Sequence, residues 1–173
     1  CPAMMRLVPV LLLFIAGVLP ASAVRGQPAN EAPRIQYWVH ASPSLTTLGT
    51  GGSMGLTLEA DRHVFSLRVA STDPTPGHET WDVGVLYGRA LFIRAFTFSA
   101  STGVAVVSGR RYTTLFGNGP GSDLETMIGF PLEGTITWSA ARVLALGVRG
   151  FANVNTGQPF GGLGMTVQVG RIR

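Results

Sequence analysis

Near its end the sequence alternates strictly between two kinds of residue: Leu163-Gly164-Met165-Thr166-Val167-Gln168-Val169-Gly170. Apolar residues occupy the odd positions, and small or polar residues occupy the even positions. A period of two indicates a β-strand whose two faces meet different surroundings. Roughly seven earlier segments follow the same pattern, and no convincing amphipathic helix interrupts them. The sequence therefore predicts an all-β protein, a closed antiparallel up-and-down transmembrane barrel of about eight strands.

The first 34 residues are predicted to lie outside this barrel. Arg6 precedes an apolar run from Leu7 to Leu19, and Ala21-Ser22-Ala23 forms an A-x-A cleavage site, as in a secretory signal peptide. The run is shorter than the roughly 20 residues that a membrane-spanning helix needs. We expect cleavage before Val24. The predicted segments are a signal peptide at 1–23 (with 1–3 as upstream read-through), a flexible lead-in at 24–34 and the barrel at 35–173.

Composition argues against several classes of partner. All 13 basic residues are arginine, set against 9 acids, and they are scattered rather than concentrated on one face as in a nucleic-acid-binding protein. The single cysteine, Cys1, precedes the signal, so we expect no disulfide in the mature chain. No pair of histidines has metal-site spacing. The run Gly49-Thr50-Gly51-Gly52 lacks the lysine and helix of a phosphate loop. We expect no nucleic acid, metal or cofactor.

Two further patterns favour a membrane barrel. Longer connections, such as 72–80 and 109–125, alternate with shorter ones, such as 61–62, 89–94 and 139–142. Aromatic residues near strand ends are typical of the two membrane interfaces, where one edge of the ring is wet and the other apolar. The predicted interface aromatics are Tyr37, Trp81, Tyr87, Trp138 and Phe160.

The chemistry of the two strand faces assigns one to lipid and the other to the lumen. The first is rich in Val, Leu and Phe and includes Leu146. The second is dominated by Gly, Ser, Thr and Ala, which suit the crowded lumen of a narrow barrel. It also carries isolated charges, which are costly to bury unless they are paired. We therefore predict a structural network of luminal ion pairs, in which Arg68 meets Glu59 and Asp82 across adjacent strands and Glu133 meets Arg149.

Two segments look like those of uncharacterised members of a known group: Trp81-Asp82-Val83-Gly84-Val85-Leu86-Tyr87-Gly88 and Gly150-Phe151-Ala152-Asn153-Val154-Asn155. Together with the strand number, the alternation and the signal peptide, they make the chain resemble the small outer-membrane β-barrel proteins, which include OmpA-type transmembrane domains. The resemblance implies a bacterial outer membrane, contact with its lipid and insertion by the barrel assembly machinery. Group members commonly end in an aromatic residue, whereas this sequence ends in Gly170-Arg171-Ile172-Arg173.

The function expected from these patterns is structural, or recognition through external loops, without enzymatic activity. A lumen filled with side chains cannot serve as a general diffusion pore. One alternative is a membrane-embedded lipid-modifying enzyme, in which His78 and Ser122 act with Asp73 or Glu79 in the external loops. The other is a secreted soluble β-barrel that binds an apolar ligand.

Overall fold

A computed structural model describes residues 35–73, 78–112 and 121–172. Each strand is hydrogen-bonded antiparallel to the next, and the last strand closes onto the first. The predicted all-β closed barrel of eight strands is confirmed, while the predicted signal peptide and lead-in lie outside the described residues. The strands are β1 (Ile35–Thr46), β2 (Gly49–Ala60), β3 (His63–Thr72), β4 (His78–Ile93), β5 (Phe96–Tyr112), β6 (Gly121–Ala141), β7 (Leu144–Asn155) and β8 (Phe160–Arg171).

Side chains alternate between the outer and inner faces of the barrel wall, as the sequence predicts. In β8, Met165 is 64% exposed and Val167 is 42% exposed, whereas Thr166 and Gln168 are buried in the lumen. The outer face is apolar and the inner face is polar, which is the reverse of a water-soluble barrel. Such a wall suits hydrocarbon outside, and it does not fit the secreted soluble alternative. No helix in the described part of the chain is long and apolar enough to cross a membrane.

The two ends of the barrel differ in their connections. One end, here called the turn end, carries the two-residue turns Asp61-Arg62, Arg94-Ala95 and Arg142-Val143, together with the start of β1 and the end of β8. The opposite end, here called the loop end, carries connections 47–48, 73–77, 113–120 and 156–159. The predicted alternation of shorter and longer connections therefore holds, except that β1 and β2 are also joined by two residues.

Three predicted connections are wrong because the strands run further than expected. At the predicted turn 139–142, β6 continues to Ala141. β4 continues to Ile93 and turns at Arg94-Ala95, so the predicted connection at 89–94 is mostly strand. Those residues contain neither glycine nor proline, so nothing in them breaks the strand. Likewise, most of the predicted loop at 109–125 is strand, because β5 extends to Tyr112 and β6 begins at Gly121.

The seam between β1 and β8 accommodates a proline. Pro43 has no N–H group to donate to the ladder between strands. The neighbouring Ser42 hydroxyl donates a hydrogen bond of 2.7 Å to the Met165 carbonyl oxygen of β8. On either side of this point the pairing keeps one register, from Ala41↔Val167 to Ser44↔Gly164. A side-chain donor thus bridges the strands where the backbone donor is missing.

Candidate functional site

Arg68 lies at the centre of the lumen. Its backbone pairs with Gly55 on β2 and with Gly84 on β4, so no side chain on either neighbour occupies the space beside it. The guanidinium is completely buried, and its Nη2 lies 2.5 Å from Asp82 Oδ2 on β4. Its Nη1 lies 3.6 Å from Glu133 Oε2 on β6. Because β3 and β6 are not adjacent, the second contact crosses the lumen.

A second arginine completes the group. Arg149 Nη2 on β7 donates to Glu133 Oε2, so this carboxylate faces two guanidinium groups. The Asn153 amide donates a hydrogen bond of 2.7 Å to Asp82 Oδ2. These five residues, here called the luminal network, connect four strands: Arg68 of β3, Asp82 of β4, Glu133 of β6, and Arg149 and Asn153 of β7.

Glu59 occupies a different place from the one predicted. Glu59 pairs with Val64 on β3. This pair lies four positions nearer the turn end than the pair Gly55↔Arg68. Glu59 Oε1 accepts a hydrogen bond of 2.7 Å from the backbone N–H of Arg62, which helps to close the β2–β3 turn. The ion pairs described for Arg68 are with Asp82 and Glu133, and its contact with Glu59 stays a prediction. Glu133 approaches Arg68 from across the lumen, a contact that strand order does not reveal.

Apolar side chains close the lumen on both sides of the network. Phe151 and Phe160 pack edge to face with ring centroids 6.2 Å apart, in a buried cluster with Ala70 and Val107. The Phe151 ring also lies 5.6 Å from the Arg68 guanidinium carbon, a cation–π contact. Nearer the turn end, a second cluster contains Trp38, Ala145 and Ile172.

The position of Phe160 corrects one predicted interface aromatic. This side chain is only 3% exposed and points into the lumen. Phe160 lies an even number of residues from Thr166 and Gln168, whose side chains face the lumen. The alternation within β8 therefore places Phe160 on the inner face, whereas its position near a strand end suggested a membrane interface. The other four side chains lie on the outer face, 40–50% exposed: Tyr37, Trp81, Tyr87 and Trp138.

The remaining luminal space is small. The cavity bounded by Trp38, His40, Glu133 and Arg149 has a volume of about 10 Å³, which is room for about one water molecule. The His40 ring lies against Gly55, where an added Cβ would come within 2.7 Å of His40 Cε1. Ion pairs, aromatic rings and close-packed small residues therefore occupy much of the described lumen.

Outside the barrel, β5 and β6 form a projecting hairpin. These strands have 17 and 21 residues, whereas β7, on the other side of β6, has 12. The first β6 residue paired with β7 is Gly129, so residues 121–124 and 127–128 pair with β5 alone among the described strands, and a register shift separates the two stretches. Where β5 ends, the Tyr112 hydroxyl donates a hydrogen bond of 2.9 Å to Glu79 Oε2 of β4, and this bond raises the pKa of Tyr112.

The two carboxylates of the enzymatic alternative have hydrogen-bond partners outside the proposed His–Ser pair. Asp73 Oδ2 accepts a hydrogen bond of 2.6 Å from the Thr50 hydroxyl, and Glu79 binds Tyr112. The backbones of His78 and Ser122 both pair with Arg111, from opposite sides of β5. Two strand spacings, roughly 10 Å, therefore separate their backbones. Nor do the described residues include a group of three or more His, Cys, Asp or Glu side chains that could hold a metal ion.

Comparison with known proteins adds evidence at the level of the fold. The sequence matches no protein-family model and no curated protein. The structure is similar to Neisserial surface protein A (NspA), with a TM-score of 0.56, 15% identity, and coverage of 80% of this chain and 99% of that one. It is also similar to the N-terminal β-barrel domain of Pseudomonas aeruginosa OprF, with a TM-score of 0.57, 11% identity, and coverage of 79% and 99%. Ail, the attachment invasion locus protein of Yersinia pestis, matches with a TM-score of 0.51 and 6% identity over 81% and 98%.

The fold and the wall chemistry together define the class of protein. The chain has the fold of the small eight-stranded outer-membrane β-barrels. Its exterior is apolar and its lumen polar, as that location requires. The protein thus has the fold of a small outer-membrane β-barrel, with a polar lumen and a hairpin that projects beyond β7.

Proposed function

We propose that the protein is a non-conducting membrane anchor that presents the β5–β6 hairpin outside the outer membrane as a recognition element. The projecting hairpin carries this proposal. Residues 121–124 at the start of β6 pair with β5 alone among the described strands, so their opposite edge leaves backbone N–H and C=O groups available. An extended polypeptide can add to such an edge as a further strand.

The filled lumen supports the anchoring role. Passage of a hydrophilic solute would require the buried pairs Arg68–Asp82 and Arg149–Glu133 to separate, together with the Phe151–Phe160 cluster. Each separated charge would remain in a confined space with little water, which is costly. The apolar wall and the ion pairs then serve to hold a rigid base beneath the hairpin. Insertion by the barrel assembly machinery remains part of this proposal.

We expect the purified protein to produce no steady conductance steps in planar lipid bilayers. The luminal network and the two apolar clusters occupy the space through which water would have to pass, which supports this expectation. A large porin inserted under identical conditions provides the positive control. Stable steps at wild-type protein concentrations comparable to those of the control would contradict a non-conducting anchor.

The recognition role is tested by selecting phage-displayed extended peptides on the full-length protein in nanodiscs. A matched variant replaces residues 108–126 with a two-residue turn, which removes the open edge of β6 and keeps the strands from the pair Val107↔Met127 inwards. We expect enriched peptides to bind the wild type and to lose binding to this variant. Peptides that bind both proteins equally would refute the role of the hairpin.

A further inference from the structure

Charge is distributed unequally between the two ends of the barrel. Among the described residues, the exposed charges at the turn end are one aspartate, Asp61, and five arginines: Arg62, Arg89, Arg94, Arg142 and Arg171. The loop end carries two arginines, Arg110 and Arg111, and four acids: Asp73, Glu79, Asp123 and Glu125. The turn end is therefore positive and the loop end is negative. Each two-residue turn of the turn end contains one arginine.

Two of these arginines occupy backbone conformations that arginine does not favour. Arg62 has φ 72° and Arg94 has φ 55°, in the left-handed region. Glycine and asparagine are the usual residues at such turn positions, because a longer side chain is strained there. A sequence selected for turn geometry alone would not place arginine at both sites. The positive charge at these turns thus occurs at positions where the backbone conformation does not favour it.

The outer wall near this end adds a cluster of hydrogen-bond donors. Arg89 Nη1 lies 3.1 Å from His63 Nε2, and His63 Nδ1 lies 2.6 Å from the Tyr87 hydroxyl oxygen. A guanidinium has no acceptor, so His63 Nε2 must accept and His63 Nδ1 must donate. The Tyr87 oxygen is then the acceptor, which leaves its own O–H free to donate. The cluster therefore offers the Tyr87 hydroxyl and the other Arg89 N–H groups to a further acceptor.

The position of these side chains identifies the kind of acceptor. Arg89 and Tyr87 lie on the outer face, on the same strand as the apolar Val85, and Arg171 pairs with Tyr37 on that face. Tyrosines on the outer wall of a barrel mark the height of the lipid headgroups. Both outer-wall arginines are therefore beside the headgroup layer, where phosphate is the abundant anion and forms strong hydrogen bonds with arginine.

We propose that the turn end binds the phosphate groups of anionic phospholipids, with Arg89, His63 and Tyr87 forming one headgroup site and Arg171 beside Tyr37 forming a second. This proposal rests on the membrane location and not on recognition by the hairpin. The three turn arginines contribute a general attraction for the anionic surface, while the two outer-wall sites contact individual headgroups.

The test measures lipid binding to the folded full-length protein in detergent micelles by native mass spectrometry. The probes are phosphatidylglycerol and phosphatidylcholine with identical acyl chains. We expect the protein to prefer phosphatidylglycerol at low ionic strength, and we expect salt to reduce the preference. The double variant Arg89→Gln/Arg171→Gln should lower it by about 25-fold, or roughly fivefold for each arginine. Tyr87→Phe, which keeps the ring, should lower it by a smaller factor.

The loop-end variant Arg110→Gln/Arg111→Gln is the matched control and should keep the wild-type preference. Equal binding of the two lipids by the wild type, or loss of the preference in the control but not in Arg89→Gln/Arg171→Gln, would overturn the proposal. Tighter binding of a polyglutamate peptide to the turn end, without a lipid preference, would assign the surface to an acidic polypeptide and would also overturn it. Hairpin-dependent peptide binding is measured separately, so either proposal can fail alone.

Discussion

Replacing Arg68 with alanine is expected to destabilise the barrel by about 3–5 kcal/mol, the usual result of removing one partner from a buried ion pair. The substitution leaves Asp82 completely buried, with the Asn153 amide as its remaining described hydrogen-bond partner. Glu133 is less affected because it keeps its contact with Arg149. The stranded charge is therefore that of Asp82. Urea titration of the protein folded in lipid vesicles, followed by gel mobility without heating, measures the change in unfolding free energy.

Two variants separate this effect from a general loss of an arginine. Arg110→Ala breaks the pair with Asp123, whose partners are 52% and 77% exposed, and such surface pairs contribute about 0–1 kcal/mol. The double variant Arg68→Met/Asp82→Leu removes both buried charges and should recover much of the stability that Arg68→Ala loses. Equal stability of Arg68→Ala and Arg110→Ala would mean that the buried pair does not form in the membrane.

Replacing Leu67 with arginine is expected to destabilise the barrel by about 2–4 kcal/mol, because a charge on the outer wall then faces the hydrocarbon near the midplane of the bilayer. Leu67 is the fifth of ten residues in β3, is 52% exposed, and lies between Leu56 and Val85 on the neighbouring strands. Leu67→Phe keeps an apolar side chain and is the conservative control. The same vesicle titration measures both variants.

A matched substitution nearer the interface tests the depth dependence. The sequence places Leu146 on the lipid face near the midplane, and the structure confirms the face but not the depth. Leu146 is the third residue of β7 and pairs with Trp138 close to the turn end. Leu146→Arg should therefore cost about 0–1 kcal/mol, because an arginine there can reach the interface. Equal costs at positions 67 and 146 would contradict the membrane placement described here.

Local alternation was sufficient to predict the strands and their faces, because a period of two along the chain records which side of the wall each residue occupies. The same alternation indicates where Phe160 lies, because Phe160 is six residues from Thr166 and so shares its inner face. The error came from assigning this residue by its nearness to a strand end. Phe151 could have been found in the same way, since it has the parity of Arg149 and Asn153.

Contacts across the lumen were not accessible to the same reasoning. Strand order predicts pairs such as Arg68–Asp82 and Arg149–Glu133, which lie on neighbouring strands. The approach of Glu133 to Arg68 depends on the diameter of the closed barrel and on the lengths of two side chains. The ends of β4, β5 and β6 were missed for a related reason: pairing with a neighbour extends a strand through residues whose own pattern is weak.

The pairing of β1 with β8 determines where the barrel would open under tension. Both strands leave the barrel at the same end, where Tyr37 pairs with Arg171. Tension applied between the two chain ends would therefore peel these antiparallel strands apart one pair at a time, rather than shear all their hydrogen bonds together. The opening would run towards Pro43, where the Ser42 side chain supplies the link to β8. Pulling on the chain ends would thus first break the β1–β8 pairs at the turn end, and the remaining pairs would separate one after another.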